Sequence, residues 1–206
     1  MHEEATRIFV LRHGQTAWNA EQRLQGQLDI PLNATGHWQA ERLAQALHAE
    51  DLAAIYSSDL QRASQTAAPL AALTGLQPVL DRGLRERGFG SFEGSIYADI
   101  EARWPEQCLR WRRREPGFAP GGGEALQDFY ARSVTTVLRL AAMHPGQVIA
   151  VMAHGGVLDC LYRAAVRIDL QAPRTWLLGN AAINRLLWTP EGLTLVGWSD
   201  SAHLEP

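Results

Sequence analysis

Two short segments place histidine and glycine where chemistry can be done: Arg12-His13-Gly14 and Ala153-His154-Gly155-Gly156. Each follows an apolar run, Ile8-Phe9-Val10-Leu11 in one case and Val148 to Met152 in the other, so each reads as a loop entered directly from a buried strand. An imidazole can act as nucleophile or proton carrier near neutrality, the adjacent guanidinium can hold an anion, and Gly14 lets backbone approach a ligand closely. Taken alone, the residues equally admit two unrelated loop histidines. Other chemistries are excluded more firmly. All 19 basic residues are arginine, which removes Schiff-base and P-loop lysine mechanisms. Cys108 and Cys160 have no CxxC or zinc spacing, and there is no HExxH and no acidic cluster beside the histidines.

The elements that must position these loops follow from periodicity. Helical spacing of Trp38, Leu43, Ala46 and Leu47 predicts a helix from Thr35-Gly36, with Thr35 as cap and Trp38 opening its apolar face. Leu52 to Tyr56 reads as a second strand, and Ser57-Ser58-Asp59 as the cap of a helix from Leu60 to Leu73 closed near Gly75. A short third strand is expected at Gln77 to Leu80. Residues 81–123 are broken by glycines and rich in aromatics and arginine, the composition of a wall or lid. A helix is predicted from Glu124 to Met143, a central strand from Val148 to Met152, a helix from Val157 to Val166, and strands at Ala182 to Trp188 and Leu193 to Trp198. Alternating strands and helices imply an α/β fold with a mostly parallel sheet, whose ligand site lies beyond the strands' carboxyl ends. Both histidine loops belong on that rim.

The chain has 206 residues, 46% hydrophobic and 20% charged, which is the composition of one globular domain, residues 1–206, large enough to form its own core. A net charge of −3 argues against nucleic-acid binding and against a polybasic membrane anchor. Two unclustered cysteines suit a reducing cytoplasm. Met1-His2-Glu3-Glu4 lacks the basic head of a signal peptide, and no apolar run approaches a membrane span.

Four separated segments carry a more specific pattern: Leu11-Arg12-His13-Gly14-Gln15-Thr16 with Trp18-Asn19; Ser57-Ser58-Asp59-Leu60 with Arg62 and Gln65-Thr66-Ala67; Leu84-Arg85-Glu86 with Gly90 and Glu93-Gly94; and Ala153-His154-Gly155-Gly156. In this order they resemble the histidine phosphatase superfamily, which includes phosphoglycerate mutases and many small phosphatases, across about residues 7–199. The resemblance implies a three-layer α/β sandwich and a phosphate pocket at the carboxyl ends of the strands. It makes His13 the nucleophile that becomes phosphorylated, Arg12, Arg62 and His154 the other pocket members, and Glu86 the proton donor. Asn19, Gln25, Gly26 and Gly155 would line the phosphate or contact it.

The implied chemistry is coherent. Capturing the phosphoryl group on a neutral imidazole divides one hard hydrolysis into two steps, with Arg12 and Arg62 gripping the equatorial oxygens. His154, protonated beside a phosphate, would add a donor. With so many cationic donors neither metal nor cofactor is called for, and Glu86 would protonate the leaving alkoxide and later deprotonate water. The partner implied is a small phosphorylated metabolite, and family membership suggests a homodimer through an exposed strand.

Competing readings remain at this level. Glu93 is a rival acid, although Phe92 and Gly94 beside it favour a structural role. Phe89, Phe92, Tyr97, Trp104 and Trp111 form either a substrate wall or a core, and Arg112 and Arg113 either a solvated face or a contact to a substrate carboxylate. His2, His37, His48, His144 and His203 read as surface residues. Mutases of the superfamily present a lysine where this chain has Tyr97, which favours a phosphatase over a mutase. A noncatalytic phospholigand-binding domain is a third reading, opposed by the presence of every catalytic residue type.

Overall fold

A computed structural model describes residues 5–205, so the expectations for Met1-His2-Glu3-Glu4 lie outside the described residues. Six strands form one sheet: β1 (Thr6–Arg12), β2 (Leu52–Ser57), β3 (Val79–Leu80), β4 (Val148–Ala153), β5 (Ile183–Thr189) and β6 (Gly192–Asp200), in the order β3-β2-β4-β1-β5-β6. The first four are parallel, while β5 runs antiparallel to β1 and β6 to β5. The three-layer, mostly parallel α/β architecture is therefore as expected.

Side chains alternate across each strand and build a core on either face. Ile8 and Val10 of β1, with Ile149 and Val151 of β4, pack under α6 (Leu126–Ala141) and α7 (Gly155–Val166). Phe9 and Leu11, with Val148, Ala150 and Met152, pack under α2 (Ala34–Leu47) and α3 (Gln61–Thr74). Covered on both sides, β4 is buried at every residue, which is why its sequence is a continuous apolar run.

Register is what creates the site. Arg12 of β1 pairs with Ala153 of β4, so the next residues, His13 and His154, leave adjacent parallel strands at the same level. The ladder continues one step further, with His13 N–H donating to the Ala153 carbonyl at 3.0 Å and Ser58 N–H to that of Met152 at 2.9 Å.

Several helix boundaries differ from the sequence expectation. Asn33, not Thr35, caps α2, its side chain accepting from Gly36 N–H at 2.8 Å. Trp38 is 44% exposed, because Gly36, Ala40, Leu43, Ala44 and Leu47 define the buried stripe and Trp38 lies opposite it. The start of α3 is capped from elsewhere: Asp29 accepts from Gln61 N–H at 2.7 Å. This frees Ser58 and Asp59 for other partners. Helix α7 begins at Gly155, making His154 its N-cap residue. The 81–123 segment contains two short helices, α4 (Tyr97–Arg103) and α5 (Pro105–Arg112), around a satellite core of Phe92, Ile100 and Cys108 flanked by Phe89, Trp104 and Trp111. His37 and His48 are exposed as expected. His144 and His203 are instead partly buried, His144 Nε2 meeting the Tyr56 hydroxyl at 2.8 Å and His203 Nε2 donating to the Ala181 carbonyl at 3.1 Å.

Candidate active site

The end of β1 delivers His13 into a nearly closed position, 3% exposed. Its Nδ1 lies 2.7 Å from the Gly14 carbonyl, which can only accept, so Nδ1 carries the proton and Nε2 of the neutral ring keeps its lone pair. Burial, then the charges of Arg12 and Arg62, hold its pKa well below the usual imidazole value. The loop around it is braced by Gly14, whose N–H donates to Thr66 Oγ1 at 2.9 Å. A Cβ at Gly14 would stand 2.5 Å from the Gly36 carbonyl oxygen, so only glycine lets this loop lie against α2.

Arg62, in the first turn of α3, is 1% exposed and anchored on three sides. Its Nε donates to His154 Nδ1 at 3.2 Å, Nη1 to the Leu28 carbonyl at 2.8 Å and Nη2 to that of Gly26 at 2.7 Å. A guanidinium has five N–H groups, so two remain for an anion. Burial lowers its pKa to about 10, which leaves it charged at neutrality. Arg12 donates from Nη1 to the Leu178 carbonyl, and its buried Nε–H has no protein acceptor. A buried unpaired donor of this kind suits a bound anion.

His154 is wholly buried behind this pair, its ring centroid 5.2 Å from that of His13. Because Nδ1 accepts from Arg62, Nε2 carries the hydrogen and donates to Ser58 Oγ at 2.8 Å. Burial, followed by Arg62, His13 and Arg12, pushes its pKa well below the ordinary value. Among three cationic or basic neighbours the ring is neutral and its one N–H faces Ser58, so the protonated His154 expected beside a phosphate depends on the charge that the phosphate brings.

Both histidines are neutral in the native state and protonate below about pH 6.5 when unfolded. Unfolded chains therefore bind more protons in acid, and stability falls as pH drops from about 6.5 toward the lowered native values, by about 1.4 kcal/mol per pH unit for each ring. We expect the melting temperature to fall between about pH 7.5 and 5.5, and His13→Ala to flatten that slope. An identical slope in the variant would contradict it.

Glu86 faces this group from the 81–123 segment. Its carboxylate accepts from Arg87 N–H at 2.8 Å and from Gly156 N–H at 3.0 Å. Gly156 N–H is one of the unpaired first-turn donors of α7, so the helix start aims the acid. A Cβ at Gly156 would sit 2.2 Å from Glu86 Oε1 and 3.0 Å from the Phe129 ring. If Glu86 is the proton donor that the resemblance implies, Gly156→Ala should displace it and lower kcat for alkyl phosphates about 10²-fold, with a smaller loss for aryl phosphates. Steady-state kinetics with one ester of each type checks this. Glu93, the rival acid, accepts from Phe89 N–H at 2.9 Å and Gln27 N–H at 3.1 Å and holds loop backbone.

Arg12, His13, Asn19, Gln25, Gly26, Arg62 and Glu86 line one pocket of about 150 Å³, joined by Arg23, Leu24 and Phe89. His154 and Gly155 do not line it: His154 forms the layer behind it, and Gly155 opens α7 close to Arg12 Nε. Asn19 Oδ1 accepts from Thr16 N–H at 3.1 Å, and Gln25 Oε1 from Thr16 Oγ1 at 3.0 Å. Gly26 sits at φ +53°, a conformation suited to glycine, and turns its carbonyl to Arg62. Asn180, which sequence reasoning missed, donates from Nδ2 to the His13 carbonyl at 3.0 Å; it lies in an irregular stretch with no local signal. Arg112 pairs with Glu101 at 3.0 Å, and neither Arg112 nor Arg113 lines the pocket; Arg112 lies over the Tyr97 ring.

A nitrogen with a free lone pair in a pocket shared with two arginines and a carboxylate is suited to transfer of a phosphoryl group. Comparison with known proteins agrees. The chain is 39% identical over 202 residues to phosphoglycerate mutase-like protein 4 of Arabidopsis thaliana, covering 96% of this chain and 86% of that protein. It is 35% identical to the metal-independent phosphoserine phosphatase of the same plant, covering 99% and 85%. The solved structure of a mycobacterial glucosyl-3-phosphoglycerate phosphatase superposes with a TM-score of 0.85 at 36% identity, covering 96% of this chain and all of that one. With residues 8–201 also matching the family profile, the chain belongs to the histidine phosphatase superfamily, branch 1.

Proposed function

We propose that this protein is a metal-independent phosphomonoesterase that hydrolyses small phosphorylated metabolites through a phosphohistidine at His13. One observation carries the reading: His13 Nδ1–H is tied to the Gly14 carbonyl, which leaves the Nε2 lone pair in a pocket shared with Arg12, Arg62 and Glu86. In the first step Nε2 attacks phosphorus and the ester P–O bond breaks. Arg12 and Arg62 hold the equatorial oxygens, and Glu86 gives its proton to the departing alkoxide. In the second step Glu86 takes a proton from water, the hydroxide attacks phosphorus, and the P–N bond breaks to return neutral His13 and phosphate. Asn19, Gln25 and Gly26 fix the loops around the phosphoryl group, while His154 and Gly155 support Arg62 and Arg12 from behind.

Under this reading residues 1–206 act as one domain, and the 81–123 segment forms the wall that admits the substrate. Among the described residues no helix is long and apolar enough to cross a membrane. Two buried free cysteines are consistent with a reducing cytoplasm. A homodimer would use the β3 edge, where Val79 and Leu80 are exposed.

The test is phosphate release from a panel of monoesters in excess EDTA, with His13→Ala beside the wild type. Turnover in chelator that disappears in the variant is expected. Loss of turnover on adding EDTA would overturn the metal-independent route, and turnover only as a mutase with added bisphosphoglycerate would replace hydrolysis by isomerisation.

A further inference from the structure

Two amides line the phosphoryl pocket, Asn19 and Gln25, and each offers opposite ends, an oxygen that accepts and a nitrogen that donates. Which end faces a phosphoryl group decides whether the side chain attracts or repels its oxygens. Two residues outside the pocket lining, Asn180 and Thr16, bear on that choice.

Asn180 lies in the segment between α7 and β5, and its Nδ2 carries two hydrogens with an acceptor for each. One is donated to the His13 carbonyl at 3.0 Å and the other to Asn19 Oδ1 at 3.3 Å. Turned the other way, the Asn180 amide would set its own oxygen against the His13 carbonyl, so the nitrogen stands there. Asn19 Oδ1 accepts a second time, from Thr16 N–H at 3.1 Å. An amide nitrogen does not accept, so Asn19 is fixed with its oxygen on Thr16 and Asn180 and its Nδ2 left over.

Thr16 is fully buried and settles Gln25 in the same way. Its hydroxyl has one hydrogen and two oxygens in reach, Asn19 Oδ1 at 3.1 Å and Gln25 Oε1 at 3.0 Å. Asn19 Oδ1 is already served by two N–H donors, whereas Gln25 Oε1 has no other donor among the described residues, so the hydrogen goes to Gln25. The hydroxyl oxygen in turn accepts from Asn19 N–H at 3.1 Å. Among the described residues neither Asn19 Nδ2 nor Gln25 Nε2 has an acceptor of its own. Free N–H groups on residues that line a pocket shared with two guanidiniums suit the oxygens of an anion.

We infer that Asn180 and Thr16 are positioning residues that hold the amides of Asn19 and Gln25 with their nitrogens toward the phosphoryl group. The inference rests on reading this pocket as the phosphoryl site, and it adds the two residues that set the pocket's polarity.

Orthophosphate binding, measured by calorimetry, reports on the pocket without turnover. Asn180→Leu keeps the size of the side chain and removes both donors, and it should weaken orthophosphate about tenfold, as should Asn19→Ala. The double variant should bind about as weakly as Asn19→Ala alone, since Asn180 acts through Asn19. Single losses that multiply to about a hundredfold in the double variant overturn the inference. If Asn180→Leu does not fold, Thr16 decides the matter. Thr16→Val drops the hydroxyl and should weaken orthophosphate about tenfold, while Thr16→Ser keeps it and should bind as the wild type does. Equal losses in these two variants overturn the inference. A wild type that binds no orthophosphate overturns the phosphoryl pocket and this inference together, whereas wild-type binding that Asn180→Leu leaves unchanged overturns this inference alone.

Discussion

His13→Ala is expected to lower kcat for every phosphate ester by about 10⁴-fold or more, because it removes the only attacking atom and not merely a binding contact. Arg12 and Arg62 stay in place, each anchored to backbone carbonyls, so esters should still bind. The loss should therefore appear in kcat and not mainly in KM. Rapid quenching of the wild type with labelled substrate should trap base-stable, acid-labile label on His13. Among the described residues the neighbouring histidine does not replace it: His154 has Nδ1 occupied by Arg62 and Nε2 by Ser58. A variant within tenfold of wild type, or label found on serine or cysteine, would sink the phosphohistidine mechanism.

Glu86→Gln should separate two kinds of leaving group. An alkoxide cannot depart without a proton, so alkyl phosphates should lose about 10²- to 10⁴-fold in kcat, the usual range for general acid–base catalysis. An aryl oxide leaves unprotonated, and p-nitrophenyl phosphate should lose much less in its first step. Glutamine also disturbs position, since its amide nitrogen only donates and one of the two backbone N–H groups that Glu86 now serves, at Arg87 and Gly156, loses its acceptor. A side chain that only braced the surrounding loop would, once changed, slow both esters alike. Parallel losses for alkyl and aryl substrates would therefore assign Glu86 a positioning role and leave the proton donor to be found elsewhere.

Part of the candidate site is legible in the chain. His13 and His154 each follow a run of strand-forming apolar residues, and such runs reveal where a chain surfaces at the end of a parallel sheet. Arg62 and Glu86 carry no such local mark. Without the pattern of four segments Arg62 reads as an exposed helical arginine, yet it is 1% exposed. The caps were less legible, because Asp29 reaches α3 from a distant loop and leaves Ser58 to His154. Arg112 and Arg113 form a compact basic run in the sequence, but Arg112 pairs with Glu101 in the structure.

By itself, the sequence determined the α/β class and the strands that end in histidine, since these depend on periodicity within a few residues, while its resemblance to the histidine phosphatases over four segments implied the residue types of the phosphate pocket. Only the tertiary structure decided which partners hold His154, Arg62, Glu86 and Glu93. Those properties depend on contacts such as Arg62 to His154 and Glu86 to Gly156, which are 92 and 70 residues apart in the chain. Burial and the charge of neighbours set the electrostatics of such groups, and neither exists until strand register has brought them together.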